Sequence, residues 1–173
     1  MAYKIGFGYD LHRLQSGRRL FLGGVEIPFT KGLAGHSDGD CLIHAAIDAL
    51  LGASGEMDIG RLFPDDDPRY KDIRSLELLE IIAGRLKSRK LEIQNIDVVV
   101  VAEEPKLAGH VARMKEALCA VLGVEPDRLG IKAKTNEGLG LIGDGRAIAC
   151  WAAALVKGKK AKSRVPSPAD SGG

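Results

Sequence analysis

Apolar positions along the chain keep two rhythms. Leu42, Ile43, Ala46, Ile47, Leu50 and Leu51 recur at helical spacing, as do Leu76, Leu79, Ile82, Ala83 and Leu86, and again Val111, Met114, Leu118 and Val121. The spacing predicts three amphipathic helices. The first begins near Ser37 or Asp38, either able to cap free N–H groups, and runs to about Leu51 ahead of Gly52 and Gly55. The others cover 75–89 and 110–122, with Gly123 stopping the last.

Elsewhere the rhythm is that of strands. The β-branched run Ile96-Asp97-Val98-Val99-Val100-Val101 predicts a strand over 92–102, buried on both faces. Residues 129–135 and 147–156 read as further strands, the second alternating only weakly, which hints at oligomer contacts. Segments 19–22 and 25–27 flank Gly23-Gly24 as a β-hairpin closed by Pro28, and 6–12 reads as a short strand running into a loop. Glycine-rich loops are expected at 31–40 and 136–145. Residues 56–70, broken by Gly60, Pro64, Pro68 and an aspartate run, read as a solvated loop.

Interleaved strands and helices, joined by hairpins and crossovers, predict an α/β fold, an α+β sandwich in which a mixed β-sheet carries helices on one face. A single domain is expected over 1–156. From Lys157 the sequence KGKKAKSRVPSPADSGG has no apolar pattern and reads as a disordered basic and polar tail.

Composition narrows the class. At 173 residues the chain can bury a proper core, and its 45% apolar and 28% charged fractions are those of an ordinary globular domain. A formal charge of +2 is too small to imply nucleic acid. No apolar run reaches spanning length and no signal pattern opens the chain, so no membrane partner is expected. Cys41, Cys119 and Cys150 are odd in number and lack C-x-x-C spacing, which suits core thiols in a reducing cytoplasm and argues against cysteine-based zinc chemistry.

The candidate chemistry lies near the N-terminus. Asp10 and His12, at i and i+2 on an extended backbone, leave the same face. Alone they read equally as a turn cap and a surface histidine. His44 changes the balance, because it follows Asp40 and precedes Asp48 at intervals of four along the polar edge of the first helix. Carboxylates one turn away can orient an imidazole, and Asp48 is a candidate for that supporting role. Two nitrogens and one oxygen with an open fourth position form the pattern of a catalytic zinc site.

The stretches IGFGYDLHRL, LGGVEIP, KGLAGHSDGDCLIHAAIDALLGA, DIGRLFPDDDP, AEEPK, IKAKTNEGLG and GDGRAIAC together resemble the 2-C-methyl-D-erythritol 2,4-cyclodiphosphate synthases of the non-mevalonate isoprenoid pathway. The likeness runs from Lys4 to about Val156. It implies a cytoplasmic, stand-alone, CMP-releasing phosphorus–oxygen lyase. Such an enzyme forms a homotrimer around a central cavity, with active sites at subunit interfaces. The implied substrate is 4-diphosphocytidyl-2-C-methyl-D-erythritol 2-phosphate, whose 2-phosphate attacks its own diphosphate to give the cyclic diphosphate and CMP.

The resemblance also implies roles for individual residues. Zinc, or another divalent ion at the same place, falls on Asp10, His12 and His44, and magnesium or manganese on Glu137. His36 and Thr135 match the groups that steady the transition state. Asp58 and Gly60 match ribose contacts, and Ser37 and Asp65 match methylerythritol contacts. Phe63 and Asp67 belong to the loop expected to close over the sugar. Ala102, Pro105 and Lys106 lie in the segment that wraps the cytosine. Lys134 and Asn136 flank Thr135 where the commonest pattern is a run of threonines, and Lys134 adds a cation that reads either as a phosphate contact or as a charge reaching solvent. Leu141 and Asp144 replace a phenylalanine and an arginine that line the trimer cavity in many members, and an aspartate there repels a prenyl diphosphate. Two rivals stand beside this reading: a zinc phosphodiesterase using water as nucleophile, and a non-catalytic trimeric nucleotide-binding module.

Overall fold

A computed structural model describes residues 2–64 and 66–158. The predicted tail lies outside the described residues beyond Lys157 and Gly158, which complete the last strand. Seven strands and five helices appear among the described residues: β1 Ala2–Ser16, β2 Leu20–Leu22, β3 Val25–Ile27, β4 Lys31–Leu33, α1 Cys41–Ser54, α2 Ile59–Leu62, α3 Ser75–Ser88, β5 Glu92–Val101, α4 Val111–Leu122, β6 Leu129–Lys134, α5 Gly140–Gly143 and β7 Ala147–Gly158. The main sheet has the order β4-β1-β7-β5-β6, and β2-β3 form the separate hairpin. Only β5 and β6 run parallel, so the sheet is mixed as expected.

Two expectations about strands fail for related reasons. The N-terminal segment is one 15-residue strand rather than a short one entering a loop, and Asp10 and His12 sit well inside it. Its even positions face the helices and carry Gly6, Gly8, Asp10 and His12, whereas Tyr3, Ile5, Phe7, Tyr9 and Leu11 face away. The usual apolar-inward alternation is therefore reversed. In β5, Ile96, Val98 and Val100 lie under the helices, but Asp97 and Val99 on the other face are only half-buried. The chain alone covers one side of that strand, not both. β7, last in sequence, is the middle strand, and its weak alternation reflects apolar side chains on both faces.

α1 is the centre of the helical layer, packed on β1 and β7 with α3 behind it. Nearly every residue is buried, save a seam of His44, Asp48 and Gly52. The helix starts later than predicted because Asp40, rather than Ser37 or Asp38, caps it. The Asp40 carboxylate is fully buried and accepts from the N–H groups of Ile43 at 3.1 Å, Gly23 at 3.0 Å and Gly24 at 2.7 Å. It thus fastens the hairpin to the helix start, and does not lie on an exposed polar edge.

Residues 56–70 are less solvated than their composition suggests. Asp58 caps the single turn of α2, and Phe63 is buried edge-on against Tyr70. β4 forms within the predicted loop by pairing Lys31–Leu33 with the end of β1. The other long helices fall where periodicity places them, α4 closing on Gly123 in the left-handed conformation. All three cysteines are buried free thiols. Among the described residues no helix is long and apolar enough to cross a membrane.

Candidate metal centre

α1 approaches β1 so closely that a side chain at Gly6 or Gly8 would strike it. A Cβ at Gly8 would stand 2.0 Å from the Ala45 carbonyl oxygen, and one at Gly6 would stand 1.9 Å from that of Ala49. Two residues further along the same strand face come Asp10 and His12, and across from them His44 on α1. The glycines set the separation at which the three side chains meet.

Asp10 Oδ2 lies 2.9 Å from His12 Nε2 and 3.0 Å from His44 Nδ1, and the two nitrogens are 3.2 Å apart. A tetrahedral ion bound at roughly 2.0–2.1 Å would hold its donors about 3.3 Å from one another, so the triangle fits. The outer nitrogens are satisfied elsewhere. His12 Nδ1–H donates to the Ala34 carbonyl at 2.5 Å, which turns the Nε2 lone pair inward. His44 Nε2 meets Ser75 Oγ at 2.9 Å and Ser37 Oγ at 3.3 Å. Asp48, expected to orient His44, instead accepts the Ile59 N–H at 2.8 Å and tethers α2. The orienting bond comes from serine.

Three lone-pair donors converging without a cation would repel one another, and the protonation pattern reflects this. Burial works to raise the Asp10 carboxyl, yet hydrogen bonds from His12 and His44 and their charges together hold it well below the usual carboxylate range. Burial works to lower the His12 imidazole, but its bond to Asp10, the Asp10 charge and the Ala34 carbonyl raise it above its ordinary value. Positive charge is favoured at this spot. The donor set suits zinc or a similar divalent ion.

The trio opens into a cavity of about 240 Å³ that is also lined by His36, Ser37, Gly60, Phe63, Tyr70 and Ile73. Asp58 borders a neighbouring depression with Phe7, Gly8 and Tyr9. Asp67 turns away to pair with Arg69, and Asp65 lies outside the described residues. Ala102, Pro105, Lys106, Lys134 and Thr135 line a separate hollow of about 120 Å³. Beside it Thr135 Oγ1 donates to Glu137 Oε1 at 2.6 Å, and Asn136 Nδ2 donates to the Leu139 carbonyl. The sequence-based reading missed Glu103, whose carboxylate accepts the Asn136 N–H at 3.1 Å, and also missed Ser75 and Asp38. A serine opening a helix carries no signal beyond capping.

Register explains why the two groups of residues do not meet within one chain. Asp10 pairs with Cys150, Cys150 with Val100 and Val100 with Ala133, so Thr135 lies near the level of the trio. Three strand spacings separate β1 from β6, or about 14 Å.

The profile of the YgbB family matches residues 3–157. A 2-C-methyl-D-erythritol 2,4-cyclodiphosphate synthase from Gloeobacter violaceus is 54% identical over 154 residues, covering 89% of this chain and 94% of that protein. A bifunctional enzyme IspD/IspF from Desulforudis audaxviator is also 54% identical, over 88% of this chain, which spans only 39% of that longer protein. Among solved structures, the IspF of Plasmodium falciparum in complex with CDP superimposes with a TM-score of 0.81 at 34% identity, over 91% of this chain and 97% of the other.

Proposed function

The chain belongs to the YgbB family, and from that premise we propose how its residues convert 4-diphosphocytidyl-2-C-methyl-D-erythritol 2-phosphate to 2-C-methyl-D-erythritol 2,4-cyclodiphosphate and CMP in the non-mevalonate isoprenoid pathway. The observation that carries the reading is the Asp10, His12 and His44 triangle opening into the cavity beside His36 and Ser37. Asp10, His12 and His44 would hold a divalent cation there, zinc by preference, which would supply Lewis acidity at the phosphate. The nucleophile is itself an anionic phosphate, so no strong base is needed. The obstacle is bringing two anions together.

Ser37, with Asp65, binds and orients the phosphorylated methylerythritol, and His36 on the same wall steadies the transition state. Gly60 helps to hold the ribose, and the loop from Phe63 to Asp67 closes over the sugar and excludes water. Asp58 binds the ribose, and backbone groups around Ala102, Pro105 and Lys106 wrap the cytosine. Glu137 would hold a magnesium or manganese ion through its carboxylate, and that ion would supply charge neutralisation at the diphosphate. Thr135 stabilises charge on the transferring phosphorus, and Lys134 and Asn136 contact the diphosphate. Because the attack is intramolecular, holding the substrate folded removes much of the entropic barrier.

The separation of β1 from β6, three strand spacings or about 14 Å, supports a site completed by a second copy, and we propose the cytoplasmic homotrimer that the sequence motifs imply. The open sheet face offers the surface for it: Ile5 is 76% and Phe7 66% exposed, in a row with Tyr3, Tyr9 and Leu11.

Product analysis tests the activity. Purified protein supplied with the substrate, zinc and magnesium is expected to release CMP together with the cyclic diphosphate. Release of CMP with a linear phosphate would show water as the nucleophile and favour a phosphodiesterase. Glu137→Gln should lower turnover at least about 100-fold, near 3 kcal/mol of barrier, while zinc per chain stays unchanged. Loss of zinc from that variant would mean that Glu137 serves the other ion.

A further inference from the structure

His44 stands between the ion site and a short relay of hydroxyl and carboxylate. Its Nδ1 is one of the three converging donor atoms, and its Nε2 points the other way, 2.9 Å from Ser75 Oγ. Ser75 is the first residue of α3 and is fully buried. Its hydroxyl donates to Asp38 Oδ1 at 2.5 Å and its N–H to Asp38 Oδ2 at 3.0 Å. A carboxylate can only accept, so the hydroxyl proton of Ser75 is committed to Asp38. The serine oxygen therefore faces the imidazole with lone pairs alone. When Nδ1 gives its lone pair to the ion instead of a proton to Asp10, Nε2 carries the ring proton, and the serine oxygen is placed to accept it. Ser37 Oγ, which accepts the Gly39 N–H, is the more distant neighbour of Nε2 at 3.3 Å, so Ser75 is the nearer partner of the imidazole.

We propose that Ser75 and Asp38 are positioning residues that fix the tautomer and ring orientation of His44, and through it the affinity of the metal centre. The inference rests on reading the trio as a metal centre. The same contacts tie the centre to the substrate wall. Asp38 N–H donates to the Ile73 carbonyl at 3.3 Å and Asp72 N–H to that of His36 at 2.9 Å, so the segment delivering Ser75 also pins the His36–Ser37 loop. An amide at position 38 would undo the logic with almost no change of shape. With its oxygen on the Ser75 N–H, its NH₂ would face both the Asp40 N–H, which Asp38 Oδ1 accepts at 3.2 Å, and the hydroxyl, which would then turn its own proton toward His44 Nε2. The imidazole would exchange proton and lone pair, and a proton would point at the ion.

The test is zinc affinity, measured on the full chain by competition with a chelator and needing no turnover. Ser75→Ala is expected to weaken zinc about ten- to a hundred-fold, and Asp38→Asn at least as much despite being isosteric. In the zinc-loaded wild type, the His44 Nε2–H proton should appear in NMR spectra as a slowly exchanging resonance. Losses smaller than tenfold in both variants overturn the proposal. So does a wild-type Nε2–H that exchanges like an exposed imidazole, a readout that survives if either substitution fails to fold. A wild type that binds no zinc would remove the metal centre itself, which is a different failure.

Discussion

Replacement of His44 by alanine is expected to abolish CMP release, by at least about 10³-fold or some 4 kcal/mol of barrier, and to take zinc per chain close to zero. The size of the effect follows from geometry. His44 supplies one corner of a triangle whose sides are 2.9, 3.0 and 3.2 Å, and Asp48, its polar neighbour on the α1 seam, is engaged with the Ile59 N–H instead. Two remaining donors cannot hold a divalent ion against water with the affinity of three. The fold should survive, because the ring lies at a cavity wall rather than in the apolar core. Circular dichroism and a metal-free melting curve close to wild type would establish that. A His44→Ala protein that still releases CMP at the wild-type rate would sink the mechanism.

The trio was legible because each member sits on a regular element whose period is simple. Positions 10 and 12 share a strand face, and position 44 falls on the one polar seam of an otherwise apolar helix. The length of β1 was not legible for the same reason that the site exists. Its helix-facing positions hold two glycines, an aspartate and a histidine where an ordinary strand would show apolar residues, so the alternation signal is inverted. β4 escaped because Lys31-Gly32-Leu33 is short and carries a glycine, and its pairing is dictated by β1 rather than by propensity. The Ser75 and Asp38 relay lies 37 positions apart in sequence and is created by the packing of α3 against the loop before α1. No local pattern could announce it. The distance from the trio to Thr135 likewise depends on β7 and β5 lying between β1 and β6, a fact of topology that motif spacing does not encode.

Gly8→Ala should damage stability and metal binding together, although the residue touches neither ion nor substrate. Its Cβ would sit 2.0 Å from the Ala45 carbonyl oxygen and 2.8 Å from the Ala49 N, both backbone atoms of the most buried helix in the molecule. Ordinary carbon–oxygen contacts begin near about 3.3 Å, so α1 would have to lift from β1 by roughly 1 Å. Overpacking of this kind costs about 3 kcal/mol or more, a fall in Tm of roughly 6–12 °C for a domain of this size. The same displacement carries His44 away from Asp10 and His12. Metal sites tolerate donor errors of only about 0.2 Å, so zinc affinity should drop at least tenfold. Gly84→Ala on α3 separates this from a general effect of adding a methyl group. Nothing lies within 4 Å of its Cβ, and there alanine should raise stability by about 0.5–1 kcal/mol and leave zinc untouched. A Gly8→Ala protein that melts and binds zinc like the wild type would mean that β1 and α1 do not set the spacing of the three donors, and the link from glycine to metal would be lost.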